Sequence, residues 1–239
     1  ENICQQLYTM VDTMIVGQVA GVEALAALGA VDFLMWVVTG ISTGLTQGFS
    51  IQLSQYYGAK DFENLRKSLA HSYRLTAFIA AGVFILSQSF ASLVLTGLHT
   101  PSNIIGMSLL YLRIIFCGIP ATAAYNMFAS ALRAMGNSKT PLTAMIIASV
   151  LNVSLDLLFV AGFGCGVAGA AIATVIAQSF SAVYCFLILR RIDIVHLTRA
   201  DFMPASGMNA RLMKLGIPVV FQNIIIGVGG LVVQYVING

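Results

Sequence analysis

The chain has 239 residues, 58% of them hydrophobic and only 9% charged, with a mean hydropathy of +0.89. Soluble domains carry about 25% charged residues, so this composition marks a polytopic membrane protein or a piece of one. A net charge of +3 with no basic stripe beside aromatic platforms excludes a nucleic-acid binder, and four cysteines without a C-x-x-C pair exclude a disulfide framework or a zinc site.

Seven apolar runs predict seven membrane spans, at about residues 1–20, 24–57, 69–96, 103–132, 141–161, 167–189 and 215–239. Nothing in the pattern alternates with the period of a strand, so the predicted fold is all-α. The chain opens at Glu1 inside an apolar run, without a methionine or a signal peptide, and closes at Gly239 inside another. It is therefore expected to be an internal fragment, with the first and last spans truncated.

The breaks between spans carry cap and turn chemistry. Thr100-Pro101 and Thr140-Pro141 each put a hydroxyl before a first-turn proline, and Gly162, Gly164 and Gly166 fit a tight link between spans five and six. Gly40, Gly44 and Gly48 form a four-residue-spaced stripe on span two, which predicts close helix packing. Pro120 falls inside span four and predicts a kink. His71, His99 and His196 lie near span ends or in connections and are expected to be interfacial or solvated.

Counting Arg74, near the start of span three, with the connection before it, eleven of the twelve Lys and Arg lie around the connections after spans two, four and six, and those after spans one, three and five hold none. The positive-inside rule then places the even connections in the cytoplasm. The longest connection, residues 190–214, predicts a boundary between a six-helix lobe at 1–189 and a second lobe beginning at 215–239. Six spans precede it, so the second lobe would be a parallel repeat.

A charge at the bilayer centre costs at least about 2.5–3.5 kcal/mol, so the ionisable residues inside spans need a reason. They are Asp12, Asp32, Arg113 and Asp156. At 1.5 Å per residue, Asp12, Asp156 and Thr174 all sit roughly 8–10 Å below the outer ends of spans one, five and six. Asn152 lies one turn from Asp156 on the same face, and Ser149 extends that stripe. Two carboxylates at one level with no matched base call for a shared proton or a bound cation. Asp12, Asn152, Asp156 and Thr174 together offer the oxygens that suit Na⁺, or a site that takes up H⁺. Helix-holding polar contacts are the alternative. Asp32 and Arg113 share a depth of roughly 14–15 Å and form a candidate structural ion pair. No nucleophile triad, metal cluster or phosphate loop is present, so the sequence gives no sign of an enzyme or of an organic cofactor.

Several stretches resemble the multidrug and toxic compound extrusion (MATE) transporters. They are QLYTMVDTMIVGQVAGVEALAALG, SQYYGAKD, ALRAMGNSKTPL and LNVSLDLLFVAGFGCGVAGAAIAT, in the family's order along the whole chain. The resemblance implies a twelve-helix protein of two lobes, of which this chain would hold the first six helices and the seventh. It implies export of amphipathic, often cationic compounds by antiport with Na⁺ or H⁺, through alternating access of the lobes. It also implies a cation site at the positions of Asp12, Asn152, Asp156 and Thr174. Span seven lacks the acidic residue that some members carry there, which fits the DNA-damage-inducible branch. The resemblance further implies a multi-pass protein of a bacterial or archaeal plasma (inner) membrane, in contact with lipid and a small-molecule substrate, and monomeric when full length. The alternatives are a lipid-linked oligosaccharide flippase of the same superfamily, whose cavity would need several bases where only Arg113 is available, and a membrane scaffold that transports nothing.

Overall fold

The computed structural model describes residue 10 and residues 13–19, 21–97 and 102–238, without the side chains of 22, 25, 26, 30, 32–34 and 226–238. The described residues are helical and contain no strand. Residues 13–19 form α1. The helices α2 (Val22–Gly58), α3 (Phe62–Gly97), α4 (Ile105–Cys117), α5 (Ile119–Ala134), α6 (Lys139–Asp156), α7 (Gly166–Arg190) and α8 (Met208–Asn238) follow. A π-helix at Leu157–Gly162 continues α6, and two 3₁₀ turns at Asp193–Val195 and Arg199–Phe202 lie between α7 and α8. Three described helical stretches are long and apolar enough to cross a membrane, namely Phe62–Gly97, Lys139–Gly162 and Gly166–Arg190, and the pair α4 and α5 makes a fourth if taken as one span.

Span four is two helices rather than one. Its axis turns by 44° between α4 and α5 at Gly118. Pro120, in the first turn of α5, has no N–H to continue the ladder. Gly118 adds close contact, since a Cβ there would lie 2.8 Å from Val175 Cγ2 on α7.

The tight turns follow local chemistry. Between α2 and α3, Lys60 takes φ 58° and Asp61 N–H donates to the Tyr56 carbonyl, while Asp61 accepts from the Asn64 backbone N–H and side-chain amide at the start of α3. Between α5 and α6, Gly136 takes φ 83° and Asn137 N–H donates to the Leu132 carbonyl. The expected Thr140 cap is replaced. Helix α6 already includes Thr140, whose N–H donates to Asn137 Oδ1 at 3.1 Å. A carboxamide three residues upstream reaches the first free N–H, whereas a hydroxyl inside the first turn does not. Thr100 and Pro101 lie outside the described residues.

Two apolar clusters fill the bundle. One joins Leu45, Phe49, Leu53, Leu65, Leu69, Leu132 and Leu189 to Val195, Met208 and Leu212. The other joins Val16 and Val31 to Leu112, Phe116, Val160 and Val167. Helix α8 packs along α2 at the glycine stripe, where a Cβ on Gly48 would sit 2.3 Å from Gly216 Cα and one on Gly44 would sit 2.7 Å from Val220 Cα.

The connection from α7 to α8 lies against α2 and α3. Arg74 Nη1 donates to the Phe202 carbonyl at 2.9 Å, Arg66 approaches Asp201 at 3.8 Å, and Gln52 Nε2 lies 2.9 Å from Met208 Sδ. His71, expected at a wet interface, is 1% exposed. Its Nδ1 pairs with Asn209 Oδ1 at 2.7 Å and its Nε2 with the Met203 carbonyl at 3.1 Å. The folded-back connection covers it, which hydropathy along the chain does not reveal. His99 lies outside the described residues.

Candidate functional site

Asn152 and Asp156 lie four residues apart in the last turns of α6, so they share a face. That face is turned inward. Asn152 is 1% and Asp156 0% exposed, whereas Val150 and Leu157 on the other side of the helix are exposed. Asn152 Nδ2 donates to Thr174 Oγ1 on α7 at 3.4 Å. Asn152 Oδ1 is buried and accepts no hydrogen bond from a described residue. Such an orphaned carbonyl oxygen costs about 1–3 kcal/mol if nothing meets it, which is a reason to look for a ligand there. Ser149, half-buried one turn away, turns its hydroxyl back to the Met145 carbonyl at 2.8 Å and is spent on its own helix.

Asp156 is the last residue before the helix widens to the π form. Phe163 N–H reaches the Leu158 carbonyl five residues back, and Cys165 N–H reaches Phe159. Insertions of this kind recur at functional positions because they shift the register of the side chains beyond them. The chain then reverses through Gly164 (φ 67°) and Gly166 (φ 53°), conformations that other residues adopt at a cost of about 1–2 kcal/mol. Gly169 on α7 completes the close approach, since a Cβ there would lie 3.0 Å from Phe159 Cβ. The glycines thereby pin the π segment against α7, and with it the carboxylate of Asp156 at the edge of that contact.

Of the four residues grouped by depth, the structure brings together Asn152 and Thr174, with Asp156 on the same inward face. Asp12 lies outside the described residues. Among the described residues, no group of three His, Cys, Asp or Glu could hold a metal ion, so any cation here would depend on amide and hydroxyl oxygens as well as carboxylate. The side chain of Asp32 is also outside the description. Arg113 is exposed on α4, and its backbone carbonyl accepts from Gln88 Nε2 on α3 at 2.9 Å.

A second feature had no sequence signal. Beside the break between α4 and α5 lies a small cleft of about 40 Å³, lined by Met35, Thr39, Ser42, Phe116, Ile119 and Thr122 among others. Its lining is apolar with a few hydroxyls, and its volume is well below the roughly 300–1,000 Å³ of a small-molecule pocket.

These features define a helical, polytopic membrane protein with a buried polar site between two of its helices. The MatE family model matches residues 1–158, and the chain belongs to that family. It is 32% identical over 237 residues to the probable multidrug resistance protein YpnP of Bacillus subtilis, covering 99% of this chain and 53% of that protein. The multidrug export protein MepA of Staphylococcus saprophyticus is 23% identical over 242 residues, covering 100% of this chain and 53% of that protein. The chain thus spans about half the length of the curated relatives it matches. Among solved structures, a multidrug resistance MATE family transporter of the MOP superfamily aligns at 25% identity in both an inward-facing and an outward-facing conformation. The TM-scores are 0.85 and 0.86, covering 92% of this chain and 50% and 49% of those chains.

Proposed function

We propose that the full-length protein exports amphipathic, often cationic small molecules by antiport with Na⁺ or H⁺. This chain would supply its amino-terminal lobe and the first helix of the second lobe. The observation that carries this reading is the inward-facing Asn152–Asp156 pair on α6, with its orphaned amide oxygen, set against Thr174 on α7. Ionisable residues inside the membrane are functional by default. Together with Asp12, these groups would take up the coupling ion from outside. Occupation would favour the state that releases substrate outward, and a cationic substrate could compete for the same carboxylates. The solved relative's inward-facing and outward-facing conformations support alternating access. In this reading the protein sits in a bacterial or archaeal plasma (inner) membrane, and the positive-inside rule supports an orientation with the connections after spans two, four and six in the cytoplasm. We take the working unit to be the monomer.

A lipid-linked oligosaccharide flippase is less well supported. Its cavity would need inward-facing bases, and Arg113, the single base within the spans, is exposed on α4. The test is ethidium efflux from cells expressing the full-length gene, with Asp156→Asn at matched expression. Loss of efflux in the variant supports coupling through this lobe, and switching Na⁺ and pH identifies the ion. Unchanged efflux in the variant would overturn the assignment of the site, and a scaffold would show no efflux with either protein.

A further inference from the structure

The connection between α7 and α8 carries an apolar tip on a fixed backbone. The Thr198 hydroxyl and N–H donate to the Asp201 carboxylate at 2.8 and 2.7 Å, which closes the 3₁₀ turn at Arg199–Phe202. Helix α3 holds the carbonyls that follow. That of Phe202 accepts from Arg74 Nη1 at 2.9 Å, and that of Met203 lies 3.1 Å from His71 Nε2. The side chains stay open. Phe202 is 38% and Met203 67% exposed, and Pro204 beside them is exposed too. A backbone held in this way has already lost the freedom that docking would otherwise take from it.

The level of this tip follows from α3. Residues 75–97 carry no charged side chain and run about 34 Å at 1.5 Å per residue, against a hydrocarbon core about 30 Å thick. Arg74, just before them, marks the edge of that core, and the Phe202 carbonyl that it holds lies at headgroup depth. The direction follows from the same helix. Counting 100° per residue from His71, the residues Arg74, Phe78, Ile85, Ser89 and Leu93 all fall within about 60°. All five are exposed, Phe78 at 72% and Leu93 at 66%. One face of α3 is thus open and largely apolar across the span, and the connection meets that face at its end, at His71 and Arg74. The turn is also basic on its open side. Arg74 and Arg199 are exposed, whereas Asp201, the only acid in residues 194–213, is 5% exposed and engaged by Thr198 and Arg66.

We propose that Phe202 and Met203 anchor the connection in the boundary between headgroups and acyl chains of the leaflet at that end, with Arg74 and Arg199 meeting the phosphates of anionic phospholipids. Apolar side chains beside arginines are the make-up of a segment that lies in a membrane interface. Arg74 spends one N–H on the Phe202 carbonyl and keeps the rest of its guanidinium fork for a phosphate. The membrane surface is then a partner of the segment that joins the two lobes, and the charge of the leaflet sets how firmly that segment is held. This inference rests on the protein's place in a membrane and is independent of what it transports.

The test uses the full-length protein reconstituted in vesicles of phosphatidylcholine, alone or with an equal part of phosphatidylglycerol. Met203→Trp adds one indole, whose emission is obtained by subtracting that of wild type. Phosphatidylcholine brominated near the top of its acyl chains should quench this emission by at least half. Aqueous acrylamide should quench it at least threefold less than it quenches free N-acetyltryptophanamide. Phosphatidylglycerol should deepen the lipid quenching, and adding Arg199→Gln to Met203→Trp should remove most of that gain. Free access of acrylamide without lipid quenching would put the tip in water and overturn the proposal. Shielding from both quenchers would mean that protein covers the tip, the second lobe included, which also overturns it. Lipid quenching indifferent to phosphatidylglycerol would overturn the role of the arginines. If Met203→Trp does not reach the membrane, Phe202→Trp carries the same comparison with the same outcomes.

Discussion

Asn152 on α6 donates to Thr174 on α7 at 3.4 Å, and this single contact leaves the carbonyl oxygen of the same amide buried without a partner among the described residues. The two halves of one side chain therefore do different things. The amide nitrogen ties two helices together, and the oxygen is left for whatever enters. Interhelical hydrogen bonds in membranes average about 0.6 kcal/mol, so Thr174→Val should lower ion affinity only about threefold if its hydroxyl merely orients the amide. Asn152→Leu removes the orphaned oxygen itself and should reduce ion-driven efflux at least tenfold at matched expression. Ion titration of reconstituted full-length protein measures both effects, and equal losses would make Thr174 a direct ligand.

The contact between α2 and α8 should be intolerant at one position and forgiving at another. A Cβ on Gly48 would meet Gly216 backbone at 2.3 Å, with no flexible side chain to yield, while one on Gly40 meets no described atom within 4 Å. Overpacking typically costs about 1–3 kcal/mol. Gly48→Ala should therefore lower the thermal unfolding midpoint of the purified full-length protein by several degrees, and Gly40→Ala should leave it within about a degree.

His71 should act as a clasp for the connection between α7 and α8. Replacing it with phenylalanine keeps the bulk but leaves Asn209 Oδ1 and the Met203 carbonyl without their ring partner. Asn209 and Met203 are themselves exposed, so water can replace the ring, and each lost bond costs about 0.5–1.5 kcal/mol. The expected result is faster proteolytic cleavage within residues 196–207, in membranes opened on the cytoplasmic side, with α3 itself intact. Cleavage at the wild-type rate would show that the apolar contacts of Val195 and Leu212 suffice.

The turn between α2 and α3 should not contribute to the pH dependence of transport. Hydrogen bonds from the Asn64 side chain and backbone hold the Asp61 carboxyl below its ordinary value of 3.8. A carboxyl lowered on folding stabilises fully above its unfolded value and loses that contribution only as pH falls through the folded one. Between pH 5 and 8 Asp61 stays ionised throughout. Asp61→Asn should therefore leave the shape of the efflux profile in that window unchanged, and a displaced profile would refute this.

How far the sequence reaches is clearest at Asp156 and Arg113. Hydropathy and residue counting put both at a depth in the membrane, and for Asn152, Asp156 and Thr174 the depths group residues on elements that do pack together. Depth says nothing of the angle around the helix. Arg113 has the depth of Asp32 but points away from the buried face of α4, because its rotation is set by which apolar neighbours fill the core. The break at Gly118 and the π segment after Asp156 were equally hidden in their detail. Pro120 announces a disturbance, but only the contact of Gly118 with Val175 shows which helix the bend leans on. His71 escaped because its partners lie more than 130 residues downstream, and no local pattern encodes such a contact.

The docking of the connection onto α3 bears on how the protein is made. Val195, Met208 and Leu212 belong to the same apolar cluster as Leu65 and Leu69, and Leu212 is fully buried there. Helices α1–α7 are thus a vessel without its base until the ribosome has delivered the chain past Leu212. A gene divided after residue 189 would release a lobe with Leu65 and Leu69 uncovered at the water's edge, inviting aggregation and chaperone capture. A division after Lys214 would let that lobe close on itself before the rest of the transporter exists.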